Sequence, residues 1–219
     1  MVIQLKTIWK RNNYTMRGHT ATLLAFLLIL LLSACEKDRG RIDDYLVEFA
    51  TVVKENSNYR FRLDNGRLLI PEEVKNYSGE EGQRVILNYI PLEGDAIKIN
   101  FVSNIFTGTI QSDGFPQNYS DDPVKIQSVW VGGDYLNLVM EIEYLREPHS
   151  VALLRDHSST SVDLYFSHSS NDDPPGYPKI MYASFLLTDL REQVDSSLVP
   201  FRFFINTYTG IRIFELELK

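Results

Sequence analysis

From Tyr45 to the end, the chain alternates apolar and polar residues with a period of two. That pattern constrains the fold more than any other feature, because it fits half-buried strands and not helices. Val47 and Phe49 alternate with Leu46 and Glu48, and Tyr59, Phe61 and Leu63 with Arg60 and Arg62. Asp64-Asn65-Gly66 then predicts a hairpin into Arg67-Leu68-Leu69-Ile70. Pro71-Glu72-Glu73-Val74 has proline at a helix-opening position with carboxylates behind it, which predicts one or two helical turns. Val85, Leu87 and Tyr89 form the next face, and Ile97, Ile99 and Phe101 the one after. Five strands with a short helix between the third and fourth give an OB-like barrel over residues 45–106.

Residues 107–125 carry Asp113-Gly114-Phe115-Pro116 and Asp121-Asp122-Pro123, turn formers with little apolar content, and are expected to link two domains. In residues 126–219 the alternation resumes. Ile126, Ser128 and Trp130 share a face before the Gly132-Gly133-Asp134 turn, and Leu136, Leu138, Met140 and Ile142 follow on the returning strand. A short strand is expected at residues 151–154 and another through Val162, Leu164, Phe166 and His168. Residues 179–187 are nearly all apolar, as in a central strand buried on both sides. Near the end, Ile211 and Ile213 take one phase and Phe214, Leu216 and Leu218 the other, which suggests a β-bulge between Ile213 and Phe214. Around seven strands with frequent turns point to an immunoglobulin-like antiparallel β-sandwich. The fold class is therefore all-β, a barrel followed by a sandwich.

Residues 1–34 differ in kind. Lys6, Lys10, Arg11 and Arg17 form a basic head without acidic residues, and residues 23–32 are uninterruptedly apolar. That run is about half the length of a membrane-spanning helix, so it reads as a secretory signal peptide. It ends in Leu32-Ser33-Ala34-Cys35, which resembles the bacterial lipobox. The resemblance implies cleavage before Cys35 and lipidation of its thiol and new amine, with palmitate among the acyl chains. Two or more chains hold a protein stably on a bilayer. An ordinary secretory signal ending near a cysteine is the alternative, and Met16 is a second possible start. Residues 35–44 would be a polar tether. The anchor places the protein on the outer membrane, at its periplasmic face or the cell surface.

With the four basic residues of the head gone from the 22, 18 basic residues face 29 acidic ones, a net charge of −11. So acidic a chain is poorly suited to a phosphate backbone, and nucleic acid is not expected as a partner. Lipidation of the single cysteine leaves no thiol for a disulfide, a zinc site or nucleophilic catalysis. His149, His157 and His168 have no metal-ligand spacing, and no HExxH occurs. His168, followed by Ser169, Ser170 and Asn171-Asp172-Asp173, is the one place where a hydrolytic set is conceivable; no nucleophile-elbow motif accompanies it. Asn171-Asp172-Asp173 and Asp121-Asp122 offer oxygen ligands without an EF-hand pattern. No catalytic residue, metal or cofactor is therefore assigned, and no ligand-binding residue is identified. Tyr119 and Tyr177, in loops, are either exposed for binding or packed at the interface between domains.

A lipobox, a small OB-like domain and a sandwich opening with Val129-Trp130-Val131-Gly132-Gly133-Asp134-Tyr135-Leu136-Asn137-Leu138 together resemble the NigD-like lipoproteins. The stretch Leu164-Tyr165-Phe166-Ser167-His168 to Asp172-Asp173, with Tyr177 and Tyr182, fits the same pattern, and the resemblance covers residues 30–219. It implies a two-domain architecture with no established activity. The family's association with a bacteriocin gene cluster suggests an immunity or accessory role. Family members more often show His-Asn where this chain has Ser167-His168-Ser169, so no role depending on that pair is carried over. The expectation is a non-enzymatic binding or accessory lipoprotein whose partner is an envelope protein, a glycan or a toxin. The alternative is a structural protein assembling by exchange of a strand such as residues 214–218.

Overall fold

The computed structural model describes residues 44–55, 58–191 and 198–219. The expected signal peptide, the lipobox with Cys35 and nearly all of the tether lie outside them.

The first half closes as a barrel from β1 (Leu46–Glu55), β2 (Asn58–Leu63), β3 (Leu68–Pro71), β4 (Arg84–Pro91) and β5 (Ala96–Asn104), in the order β1-β2-β3-β5-β4. One phase of each strand fills it: Val52, Phe61, Leu69, Val85, Leu87 and Ile97 are buried inside. The hairpin at Asp64 forms as the alternation predicts. Gly66 N–H donates to the Leu63 carbonyl at 2.9 Å, and Gly66 takes φ +85°, where a side chain would be strained.

Three expectations fail in this half. On β1 the core takes Ala50 and Val52, the phase opposite Val47 and Phe49, because Phe49 turns outward to meet Trp130. Pro71 opens no helix; it ends β3, and Glu72 N–H donates to the Ile97 carbonyl at 3.0 Å, so pairing with β5 uses the backbone a helical turn would need. Phe101 also leaves the predicted inner face. Tyr89 pairs with Ile99 but Asn88 pairs with Phe101, so Asn100 is a bulge and every side chain beyond it changes sides.

The second half has β6 (Phe106–Gln111), β7 (Lys125–Gly132), β8 (Tyr135–Tyr144), β9 (Ser150–Asp156), β10 (Asp163–Ser169), β11 (Tyr177–Leu186), the single turn α1 (Thr188–Arg191), β12 (Val199–Thr207) and β13 (Gly210–Leu218). Their order is β13-β12-β10-β9-β6-β11-β8-β7, one sheet folded over a core that includes Leu138, Leu153, Phe166, Phe185 and Phe203. β6 lies in the stretch expected as linker. It joins the two layers, pairing first with β11 (Phe106 to Ala183) and then with β9 (Ile110 to Leu153). These two ladders and the β10–β12 ladder are parallel, so the sandwich is mixed and not wholly antiparallel.

Three details of phase differ from the alternation. A register shift between Ile126 and Ser128 splits the face expected to hold Ile126, Ser128 and Trp130. β13 has no bulge at Ile213: it pairs residue for residue with β12 from Leu218 to Gly210. Its two apolar phases serve two faces, Leu218 buried inside and Ile211 and Ile213 exposed outside. β11 is central in the sheet order, yet only its second half is buried; Tyr177 is 78% exposed and Ile180 38%.

Candidate functional site

The barrel and the sandwich meet around Arg84, whose side chain is 1% exposed. Arg84 sits on the phase of β4 opposite the barrel core, so its guanidinium leaves the barrel and enters the sandwich. Its Nη1 is 2.7 Å from Asp64 Oδ1 and donates to Thr51 Oγ1 at 3.0 Å; its Nη2 donates to Asn137 Oδ1 at 2.9 Å and its Nε to Ser184 Oγ at 3.3 Å. Asn137 Nδ2 returns to Asp64 Oδ2 at 3.0 Å, and the guanidinium carbon lies 4.3 Å from the centre of the Tyr135 ring. A planar cation with five donors suits such a site, because each neighbour satisfies one direction of its fork. Phe49 of β1 meets Trp130 of β7 edge-on at 5.0 Å.

The Gly-Gly-Asp-Tyr-Leu-Asn run gains its meaning here. A Cβ on Gly132 would lie 2.2 Å from Asp64 Oδ2, so only glycine lets the β7–β8 turn receive the barrel hairpin. Tyr135 and Asn137, from the same run, close on Arg84. The motif therefore builds the domain seam.

Beside this seam opens a groove of about 660 Å³, walled by the barrel (Val47, Phe101) and by Phe106, Tyr144, His149 and Ile180 of the sandwich. Its size lies within the range of roughly 300–1,000 Å³ usual for ligand pockets. The bulge at Asn100 places Phe101 there, 52% exposed, with Val47 at 54% and Phe106 at 39%. No aspartate or glutamate lines the groove, and its one lysine, Lys179, lies with Nζ 3.8 Å from the centre of the Tyr144 ring. A wider cleft of about 750 Å³ lies between β7 and β13, rimmed by Arg202, Glu215, Glu217 and Lys219. That charged and well-hydrated rim is less able to drive binding than apolar walls.

Behind the groove wall, two histidines that lacked any shared motif in sequence are neighbours. His149 Nδ1 is 2.9 Å from His168 Nε2, and His168 Nδ1 is 2.9 Å from the Asp122 carbonyl. A carbonyl only accepts, so His168 Nδ1 donates. Burial pushes the His168 pKa down, which favours the neutral ring, and its Nε2 then accepts from His149 Nδ1–H. His149 Nε2 is buried with no hydrogen-bond partner, 3.5 Å from Asp173 Oδ2. Burial works to raise the Asp173 pKa, but backbone N–H groups of Leu145, Glu147 and Arg146 outweigh it and hold the carboxyl below its ordinary value. Both nitrogens of His168 are occupied, and the nearby Ser167 hydroxyl donates to the Ser120 carbonyl. The arrangement thus offers His168 no nucleophile to activate.

The acidic loops serve structure in the same way. Asp122 accepts from the N–H and hydroxyl of Ser170, which hold its carboxyl below the ordinary value, and Asn171 donates to the Pro148 carbonyl and Ser150 Oγ. Among the described residues no three His, Cys, Asp or Glu side chains are grouped to hold a metal ion. His157 is exposed, and Tyr177 stands clear of the seam. Tyr119 packs against Phe115 and Tyr165 on the outside of β10. Sequence patterning did not single out Arg84, and it missed the groove, which depends on the bulge at Asn100.

Comparison with known proteins follows this architecture. A model of the NigD-like N-terminal OB domain matches residues 49–107, and one of the NigD-like C-terminal beta sandwich domain matches residues 107–217. A structure of a candidate toxin-related protein from Parabacteroides distasonis is 29% identical with a TM-score of 0.72, covering 80% of this chain and 94% of that one. A NigD-like immunity protein from Bacteroides caccae shares the fold at 22% identity and TM-score 0.63, covering 78% and 90%. A candidate lipoprotein from Bacteroides fragilis does so at 14% and 0.60, covering 80% and 98%. No curated protein matches the chain. Among the described residues no helix is long and apolar enough to cross a membrane. With both domain models matched in order over residues 49–217, the chain belongs to the NigD-like family.

Proposed function

We propose that the chain is a non-enzymatic lipoprotein of the outer membrane, anchored through Cys35, whose groove binds a partner protein in an immunity or accessory role. The observation that carries this reading is the carboxylate-free apolar groove walled by both domains beside their seam. A large apolar patch left exposed on an acidic protein marks an interaction surface. The toxin-related and immunity descriptions of similar structures favour a protein toxin over a glycan, whose hydroxyls would want polar walls. Assembly by donation of residues 214–218 is disfavoured, since it would break the pairing of β13 with β12 and expose Leu218.

Two measurements test the reading. Cells expressing the gene should survive a matching bacteriocin that kills cells lacking it, and equal killing would refute the immunity role. Radiolabelled palmitate should enter the wild-type protein and not Cys35→Ser; label in the variant would refute the anchor.

A further inference from the structure

We infer that the groove receives its partner by strand addition: an extended polypeptide segment pairs with the free edge of residues 177–182 of β11. The inference rests on the groove being the binding site, and it names the chemistry that fills it.

Among the described residues, β11 has a lane of backbone without a neighbour. β8 pairs with β11 along its whole length, from Tyr177 to Leu186. On the other side β6 pairs only with Ala183, Ser184, Phe185 and Leu186. One residue before β6 begins, Ile105 N–H donates to the Arg84 carbonyl, which holds the chain in the barrel and away from β11. No described residue pairs with residues 177–182 from that side. Leu187 N–H donates to the Asp134 carbonyl, so by the register the odd residues of β11 bond β8 and Pro178, Ile180 and Tyr182 face the groove. Pro178 has no N–H, so the free donors are those of Ile180 and Tyr182, along roughly 13 Å of strand from Lys179 to Tyr182. Another peptide backbone is the ligand that satisfies such a row completely.

The groove follows this edge. Lys179 and Met181 lie on one face of β11 and Ile180 and Tyr182 on the other, yet all four line the cavity, as only a view along the strand edge allows. Charge narrows the partner further. In a chain with 29 acidic residues the groove has none, and Lys179 supplies a cation at its wall. The complementary segment is apolar, extended and carries a carboxylate that meets Lys179.

The probe is a capped nonapeptide of alternating threonine and valine with a central aspartate, titrated against the full chain by fluorescence polarisation. Its partners are a central-lysine version and one N-methylated at alternate residues. Binding of the aspartate peptide should slow hydrogen exchange at Ile180 and Tyr182, whose N–H groups face the groove. The lysine version and the Lys179→Glu variant should each weaken it by about fivefold, and the two changes together should restore it. Ile180→Lys, which guards the edge with a charge, and N-methylation should abolish it; a melting temperature unchanged by Ile180→Lys shows that folding is intact. Protection elsewhere, binding indifferent to N-methylation, or no binding at all overturns the inference. So does a dimer of the chain alone that protects the same amides. In the bacteriocin assay, protection by wild type and equally by Ile180→Lys removes strand addition and leaves the immunity role. Peptide binding without protection by wild type does the reverse.

Discussion

Replacing Arg84 by methionine keeps most of the side-chain volume and deletes the guanidinium that joins β1, the β2–β3 hairpin, β8 and β11. Asp64 then faces the seam without its ion pair, and Asn137, Ser184 and Thr51 each lose a donor. Breaking a buried pair from one side costs about 3–5 kcal/mol. The Asp64 side chain is 20% exposed, so water partly compensates its carboxylate and the lower end, about 3 kcal/mol, is appropriate. At roughly 2–4 °C per kcal/mol for a unit of this size, the melting temperature should fall by about 6–12 °C. Calorimetry measures the shift. Trp130, the one tryptophan among the described residues, reports the seam in urea melts. Arg84→Lys should recover little, because one ammonium cannot match four partners held by a planar fork. Arg84→Met with Asp64→Leu should be more stable than Arg84→Met alone, since no carboxylate is then stranded. A loss below about 1 kcal/mol in Arg84→Met, no more than an ordinary surface hydrogen bond, would refute the seam as the source of rigidity.

Gly132→Ala should cost about 2 kcal/mol, because its Cβ must displace the carboxylate that pairs with Arg84; a neutral result in urea melts would contradict the seating of the hairpin. A double-mutant cycle on Phe49→Leu and Trp130→Leu should give a coupling of about 0.5–1.5 kcal/mol, the value of an edge-to-face pair, and zero coupling would deny the contact. Burial lowers the folded-state pKa of His168 from 6.5, so below about pH 6.5 the unfolded chain takes up a proton that the folded ring refuses. Stability from this group is thus present above 6.5 and lost as pH falls towards the lowered value. His168→Gln should flatten that part of a stability profile between pH 8 and 5, and an unchanged slope would show that another group controls it.

The all-β class and most of the barrel core were legible because one phase of a strand faces a single interior, as with Phe61, Leu87 and Ile97. Errors arose wherever both phases are used. Ile86 lies opposite Leu87 and is also buried, since the sandwich covers the outer face of β4. Ile211 and Ile213 look like a slipped register and are an exposed outer face. A bulge leaves no mark in periodicity when, as at Asn100, the extra residue is polar and its neighbours Ile99 and Phe101 are both apolar. The His149–His168 contact was hidden for another reason. It joins the end of β10 to the start of β9 across a ladder, and spacing along the chain carries no trace of that adjacency.

The seam and the open lane have a common cause. Gln83 Nε2 donates to the carbonyls of Arg84 and Ile105, and Ile105 N–H donates to the Arg84 carbonyl, so the last residue before β6 is fastened to the first residues of β4. Because β6 must begin there, it can reach β11 only from Ala183 onward. Had Ile105 and Asn104 continued along β11, the register would have set them against Tyr182 and Met181 and narrowed the lane, but the barrel would then have lost the end of β5, which pairs Asn104 with Val85. Closing the barrel and closing the sandwich therefore compete for the same two residues. The barrel wins through Arg84, and the unpaired edge of β11 is the consequence. Pro178 guards the first part of that edge, and beyond it the edge carries Lys179 and Ile180 and no carboxylate. A fold that leaves such an edge at the bottom of a groove exposes it to an inserted strand while keeping it from flat edge-to-edge association.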